Sequence, residues 1–271
     1  AELVANGEFD HAFNPAGGPH HALKDRASGF CIYNDAAIAC KYLAGRGLKV
    51  AYVDSDAHHG DGVQWIFYGC PQVLTISVHE TGEYLFPGTG FTSEAGEGNG
   101  RGFSVNLPVP PGCFDEAYID SFREIVPPAL RAFRPDVIVS QNGCDGHYND
   151  PLTHLSLTTA AYRQVYREIH GLAHEICGGK LVALGGGGYD LFDAVPRVWT
   201  LLFAELLGVD LPNEIPEVWL KKCRAKRGGL CPTELNDRPL PAPKESKEEV
   251  EAELNRAISE IKKALPLFFP T

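Results

Sequence analysis

Four continuous apolar runs, at 48–53, 73–78, 137–140 and 181–184, constrain this chain more than any other feature. Their apolar residues follow one another instead of alternating with polar ones, which is the pattern of strands covered on both faces. Helical periodicity fills the intervals at 34–44, 114–133 and 157–177 and recurs at 195–207. Strand and helix therefore alternate, and the spacing predicts an α/β chain, a three-layer αβα arrangement around a mainly parallel sheet. With 271 residues, 44% of them hydrophobic and 22% charged, the chain can bury one large core.

In an open parallel sheet, ligands bind outside the carboxyl ends of the strands, and those ends carry the unusual residues here. Asp54 and Asp56 close the first run, with His58, His59 and Asp61 directly after them. Asp145 follows the third run, and Gly185–Gly188 with Tyr189 follow the fourth. Two carboxylates and an imidazole suit a borderline divalent ion such as zinc, whose catalytic sites keep one position open for water. The local sequence offers more donors than such an ion needs. Asp54 and Asp56 face alike, so one can ligate while the other works behind it, and Asp145 is the donor from a second strand end. An acid and histidine cluster alone is often only a solvated loop; its conjunction with Asp145 in a parallel-sheet context favours a metal.

The stretch GGPHHALKD places His20 and His21 side by side in a glycine-rich loop. Vicinal histidines are commonly surface residues, but a metal-activated water needs a proton acceptor and donor that titrate near neutrality. Asp54 and Asp61 can each receive an imidazole N–H, orienting the ring and raising its basicity. The GGGGYD run fails as a dinucleotide fingerprint, since neither the third glycine nor the distant acid is in place. It serves better as a sharp turn holding the Tyr189 hydroxyl over the metal, to donate to a developing oxyanion.

Net charge is −11, and residues 1–210 hold 13 basic against 25 acidic side chains, while 211–271 hold 11 and 10. Such a surface repels nucleic acid and tolerates cationic partners such as lysine-bearing peptides or polyamines. No run has the length of a membrane span and the first residues lack signal-peptide character, so the expected location is the cytoplasm, with no membrane partner. The eight cysteines show no CxxC spacing and are expected to be free thiols of a reducing compartment. The absence of methionine, and an opening helical pattern that ends at Asn6-Gly7, read as a fragment or processed form.

Pro212, Pro216, Pro232, Pro239, Pro241 and Pro243 predict an extended strap after Gly208. Residues 211–271 are thus read as an extension packed on a catalytic domain of residues 1–210. It closes in an amphipathic helix opened by a Ser246 to Glu249 capping box, with Val250, Leu254, Ala257, Ile258, Ile261 and Leu265 on one face.

The stretches NPAGGPHHA, ASGFCIYNDAA, VAYVDSDAHHGDGVQ, ISVHETGEYLFPGTG, QNGCDGHYNDP and LGGGGYD together resemble the zinc-dependent histone deacetylase family, most closely its bacterial acetoin utilization branch. The resemblance runs in family order from residue 14 to about 208 and implies the arginase/deacetylase-like fold. It implies zinc ligands at Asp56, His58 and Asp145, with iron(II) as the alternative metal. His20 and His21 would be the tandem histidines, Asp54 and Asp61 their carboxylate partners, and Tyr189 the transition-state tyrosine. Phe30, Phe86 and Gly187 would wall a narrow tube for the lysine methylenes, with the Gly29 carbonyl on the substrate amide. A structural potassium would use Asp54, Ser77 and the carbonyls of Asp56, His58 and Val78. The implied activity is removal of acetyl from lysine side chains of proteins. Alternatives are hydrolysis of acetylated polyamines or other small acylated amines, and a non-catalytic acyl-lysine binder. Two departures stand out: Pro19 precedes the tandem histidines where the family has an apolar non-proline residue, and the family's first strand and first helices are missing.

Overall fold

The computed structural model describes residues 1–227, 231–240 and 247–270. Among these, six strands make one parallel sheet: β1 (His11–Asn14), β2 (Val50–Asp54), β3 (Val73–Glu80), β4 (Ser104–Val109), β5 (Val137–Gln141) and β6 (Leu181–Leu184), in the order β1-β6-β5-β2-β3-β4. The four apolar runs are β2, β3, β5 and β6, and every residue in them is buried. The two strands the sequence did not announce are the edges. β1 has only two apolar residues, and β4 contains Pro108, which an edge strand tolerates because one side of its ladder has no partner.

Alternate strand residues feed two cores. Val50, Tyr52, Val137 and Val139 point to one face, where α1 (Glu2–Ala5), α2 (Asp35–Gly45) and α3 (Asp61–Phe67) contribute Val4, Leu43 and Phe67. Ala51, Val53, Ile76 and Ile138 point to the other. That face is covered by α4 (Asp115–Phe133), α5 (Thr159–Cys177), α6 (Ala194–Leu207) and α8 (Lys247–Ala264), with Phe122, Ile169, Val198 and Leu254 among the buried contacts. Asn34 begins α2 as predicted, its side chain accepting from the Ala37 amide at 2.8 Å. Its Nδ2 donates to the carbonyls of His20 and Ala22, both at 3.0 Å, and so ties the helix to the histidine loop.

The chain leaves β2 toward β3 and β4, then returns to place β5 on the other side of β2. This reversal opens a crevice at the carboxyl ends of β2 and β5.

Two expectations for the C-terminal part are corrected. The strap is not extended throughout, because α7 (Glu217–Arg227) lies within it. Pro216 starts that helix instead of breaking it: its carbonyl accepts from Trp219 and Leu220, and at a helix start proline has no N–H to lose. Nor are all eight cysteines free. Cys231 returns beside α7 with its Cα 6.1 Å from that of Cys223, within bonding reach, and the two form a disulfide, while the other six remain thiols. The 231–240 stretch is held by Asp237, which accepts from Arg197 at 2.7 Å, from the Thr159 amide at 2.9 Å and pairs with His147 at 2.8 Å. In α8 and just past it, Val250, Leu254, Ala257, Ile261 and Leu265 are buried as the periodicity predicts, and Ile258 is partly buried. Ser246, Pro241 and Pro243 lie outside the described residues. No described helix is long and apolar enough to cross a membrane.

Candidate metal centre

Beyond Asp54 the backbone turns because aspartates cap the amides two residues ahead. The Asp56 amide donates to Asp54 Oδ1 at 3.1 Å, and the His58 amide donates to Asp56 Oδ1 at 3.0 Å. The turn sets Asp56 beside His58, and Asp145 comes to them from the loop after β5. Ligand atoms of Asp56, His58 and Asp145 all lie within 4.8 Å of one another, and the three residues are buried. The choice the sequence left open is thereby resolved geometrically: Asp56 joins this group, while Asp54 turns to His20.

Amide donors also hold the carboxylate oxygens turned away from the imidazole. Asp56 Oδ2 accepts from Gln141 Nε2 and from the Gly187 amide, both at 2.7 Å, and Asp145 Oδ1 accepts from the Ala57 amide at 2.9 Å. The other oxygens face His58 Nδ1, at 2.7 Å for Asp145 and 3.3 Å for Asp56. Gly187 passes so close that a Cβ there would sit 2.3 Å from Asp145 Oδ2, which is why this position excludes a side chain.

The electrostatics of the group call for a cation. Burial and the neighbouring charge of Asp56 push the Asp145 carboxyl up to about 7. Burial alone would depress His58, but its hydrogen bonds to Asp145 and Asp56 and their charge override it and raise the imidazole to about 11. A proton on His58 thus compensates two carboxylates that share one buried site. A divalent ion would do so with twice the charge, and an imidazole plus two carboxylates is a donor set such ions accept.

Beside this group stand two imidazole–carboxylate pairs. His20 Nδ1 lies 2.8 Å from Asp54 Oδ2, His21 Nδ1 lies 2.7 Å from Asp61 Oδ1, and the two Nε2 atoms are 3.0 Å apart. Asp54 also accepts from the Tyr52 hydroxyl at 2.6 Å. The pairs differ electrically. Burial would lower His20, but the charges of Asp54 and Asp56 outweigh it and lift the ring to about 9. Burial and then the charge of His20 lower His21, so it favours the neutral form.

Tyr189 is anchored by its amide, which donates to Asp150 Oδ2 at 2.8 Å, and its ring centroid lies 6.5 Å from that of His58. Burial and the charges of Asp145 and Asp56 raise its hydroxyl, which therefore stays a donor. Phe86 stands 5.0 Å from the His21 ring, and Phe30 6.3 Å from Tyr189. Phe30 is 90% exposed and Phe86 49%, so both rise over a buried polar floor. Phe30 holds a φ of 64°, a left-handed conformation rare for an aromatic residue. Gly29 lies against His21, where a Cβ would be 2.3 Å from the ring. Ser77 is the cross-strand partner of Asp54, with its Oγ 2.8 Å from His79 Nδ1, and the Val78 carbonyl accepts from Tyr118 at 3.4 Å.

Sequence reasoning missed Gln141, Asp150 and Tyr52. Gln141 was within reach of the strand-end rule, being the last residue of β5. Asp150 and Tyr52 carried no signal, since their partners are distant in sequence or ordinary in type. His59, beside the cluster in sequence, faces away to Thr89 and Gln64, at 2.8 and 3.1 Å, and burial depresses it to about 3.

A parallel sheet flanked by helices, with an Asp–His–Asp group at its topological switch and paired imidazoles beside it, defines an arginase/deacetylase-type metal-site fold. The histone deacetylase domain matches residues 1–206, and the chain belongs to the histone deacetylase family. Within that family it falls with the acetoin utilization branch. It is 48% identical over 236 residues to the acetoin utilization protein AcuC of Bacillus subtilis (strain 168), covering 87% of this chain and 60% of that protein. To AcuC of Staphylococcus xylosus it is 41% identical, over 88% of this chain and 62% of that one. The chain thus spans about three fifths of the length of these relatives. A crystal structure of an HDAC homolog complexed with SAHA superposes with a TM-score of 0.80 at 35% identity, over 91% of this chain and 67% of that chain. An HDAC homolog from Aquifex aeolicus gives 0.79 at 34%, with the same coverage.

Proposed function

We propose that this protein hydrolyses the acetyl amide of N-acetyl-lysine in proteins. The observation that carries the reading is the meeting of two carboxylate-backed imidazoles, their Nε2 atoms 3.0 Å apart, with a buried Asp–His–Asp group under two exposed aromatic rings. A pure binder has no use for the proton-transfer pair.

Asp56, His58 and Asp145 would hold zinc, or iron(II), which when bound polarises the acyl carbonyl and acidifies water. His21 accepts a proton from the attacking water and passes it to the departing amine, so that C–O forms, C–N breaks, and acetate and free amine leave. Asp61 fixes its tautomer through Nδ1. His20, held cationic by Asp54, supplies electrostatic support. Tyr189 donates to the oxyanion, an effect of about 3 kcal/mol for one such donor. Phe30, Phe86 and Gly187 wall the tube for the methylenes, and the Gly29 carbonyl receives the substrate amide N–H. A structural potassium would take oxygens of Asp54, Ser77, Asp56, His58 and Val78.

The acidic balance of residues 1–210 also favours a second substrate class, acetylated polyamines or other small acetylated amines. Turnover by the metal-loaded protein of acetyl-lysine peptides against acetylpolyamines tests the choice; turnover of neither class would sink the enzyme reading. We further propose that residues 211–271 brace the same body, as the apolar face of α8 suggests, and that the protein works in the cytoplasm. Cell fractionation tests the location.

A further inference from the structure

At the amino-terminal end of the sheet, far along the strands from the crevice, three imidazoles converge. His11 opens β1, and His170 and His174 sit one turn apart on α5, the i,i+4 spacing that puts two imidazoles on one helix face. His11 Nε2 lies 2.6 Å from His170 Nε2, and His174 Nε2 lies 3.1 Å from the same atom. The ligand nitrogens of all three are within 4.8 Å of one another.

Hydrogen bonds alone leave this arrangement incomplete. His11 Nδ1 is 2.8 Å from the Gly179 carbonyl, an acceptor only, so Nδ1 carries the hydrogen and Nε2 of the neutral ring presents a lone pair. His170 Nε2 has two nitrogen neighbours. If protonated it donates squarely to one of them and leaves the other facing it without a proton of its own to share. If unprotonated it meets the His11 lone pair head on, unless His11 takes a second proton and becomes charged. One ion at the centre satisfies all three lone pairs together. The carbonyl behind His11 is the outer hydrogen bond that metal-bound histidines use to fix ring and tautomer. His174 lies in the last turn of α5, where the helix dipole favours positive charge.

We propose that His11, His170 and His174 form a second metal site, for a borderline divalent transition ion. Three neutral imidazoles without a carboxylate select copper(II), nickel(II) or zinc over magnesium and calcium. His174 is exposed, which leaves a fourth position open to water. The ion would clip strand β1, which among the described residues pairs only with β6, to the end of α5. This site stands independently of the proposed deacetylase activity.

The test uses the untagged full chain, stripped by chelator and titrated with copper(II), with bound metal counted after gel filtration and the ligands read by electron paramagnetic resonance. The expected result is a signal with hyperfine coupling to several imidazole nitrogens that disappears in His170→Ala/His174→Ala together with one bound equivalent. His11→Gln, from the strand side, should give the same loss, and circular dichroism verifies that each variant is folded. Asp145→Ala should keep the multi-nitrogen signal, which separates this site from the buried one. An unchanged copper count and spectrum in the double variant, or a wild-type spectrum with no multi-imidazole coupling, overturns the proposal.

Discussion

The two ends of the sheet each gather imidazoles, and they do so in opposite environments. At the carboxyl end, His58 is buried with two carboxylates, and the field of Asp56 and Asp145 forces a proton onto it. At the amino end, His11, His170 and His174 are partly open to solvent, with only imidazole among the converging ligand atoms. The difference shows that clustering histidines does not define a catalytic centre. What sets the carboxyl end apart is the topological switch between β2 and β5, which brings acids from separate strands into a buried group, and the second pair of imidazoles with carboxylates behind them.

The hardest blow to this contrast is Asp145→Ala. It should abolish ion binding at the carboxyl end and reduce amide hydrolysis to background, because Asp56 and His58 alone are too few donors for a transition ion. Metal analysis showing unchanged occupancy would remove Asp145 from the ligand set. Next in size, His21→Ala should lower kcat/KM by about 10²- to 10⁴-fold, the usual contribution of a general base, with Asp61→Asn weaker by the same route. His20→Ala should be milder and should alter the acid limb of the pH profile. A pH series with metal content checked beforehand would reverse the assignment if His20→Ala proved the dead variant. Tyr189→Phe should then cost ~100-fold or more in turnover while leaving hydroxamate affinity nearly intact. Equal turnover in both forms would strip Tyr189 of its role.

Metal affinity at the carboxyl end should depend on pH in a way the charges dictate. The ion must displace the His58 proton, held up to about 11, and below about 7 the Asp145 proton as well. Affinity should therefore fall about tenfold for each unit that pH is lowered from about 11 to about 7, and toward about a hundredfold for each unit below that. The metal-free fold runs the other way. Asp145 has a raised value when folded, so the stability it contributes is complete below its ordinary range near 3.8 and is lost as pH rises through about 7. A pH-independent dissociation constant would mean that these protons are not where the geometry puts them. The smallest expected change is at the amino end: His174→Ala, assayed with chelator present, should shift stability by no more than about 0.5 kcal/mol, as for other surface substitutions. Chemical denaturation measures it, and a loss of several kcal/mol would show that His174 packs structurally without any ion.

Much of the carboxyl-end site was legible because its residues are chemically loud and lie at strand ends, where Asp54, Asp56 and Asp145 stand out from the sequence alone. The amino-end cluster was not, since His11 lies in a short edge strand without apolar pattern and its partners lie 159 and more residues away. Gln141 and Asp150 escaped for a related reason: Gln141 donates to Asp56 and to the Gly18 carbonyl, and Asp150 accepts from the Tyr189 amide, partners that only the folded chain brings near. Pro216 opens α7 where residue type alone predicts a break, because a proline's effect depends on whether it starts a turn or interrupts one.

Local pattern by itself determined the buried strands, most of the long helices, the parallel order they require and the presence of acids and histidines at the strand ends, because burial on both faces and side-chain periodicity are properties of neighbouring residues. Only the tertiary structure decided that Asp56 and not Asp54 meets His58, that His20 and His21 sit in unlike fields, that Cys223 meets Cys231, and that three histidines close on one another at the far end of the sheet. Those outcomes depend on distances of a few ångströms between segments remote in the chain, and on how much water each pairing excludes, which no local pattern encodes.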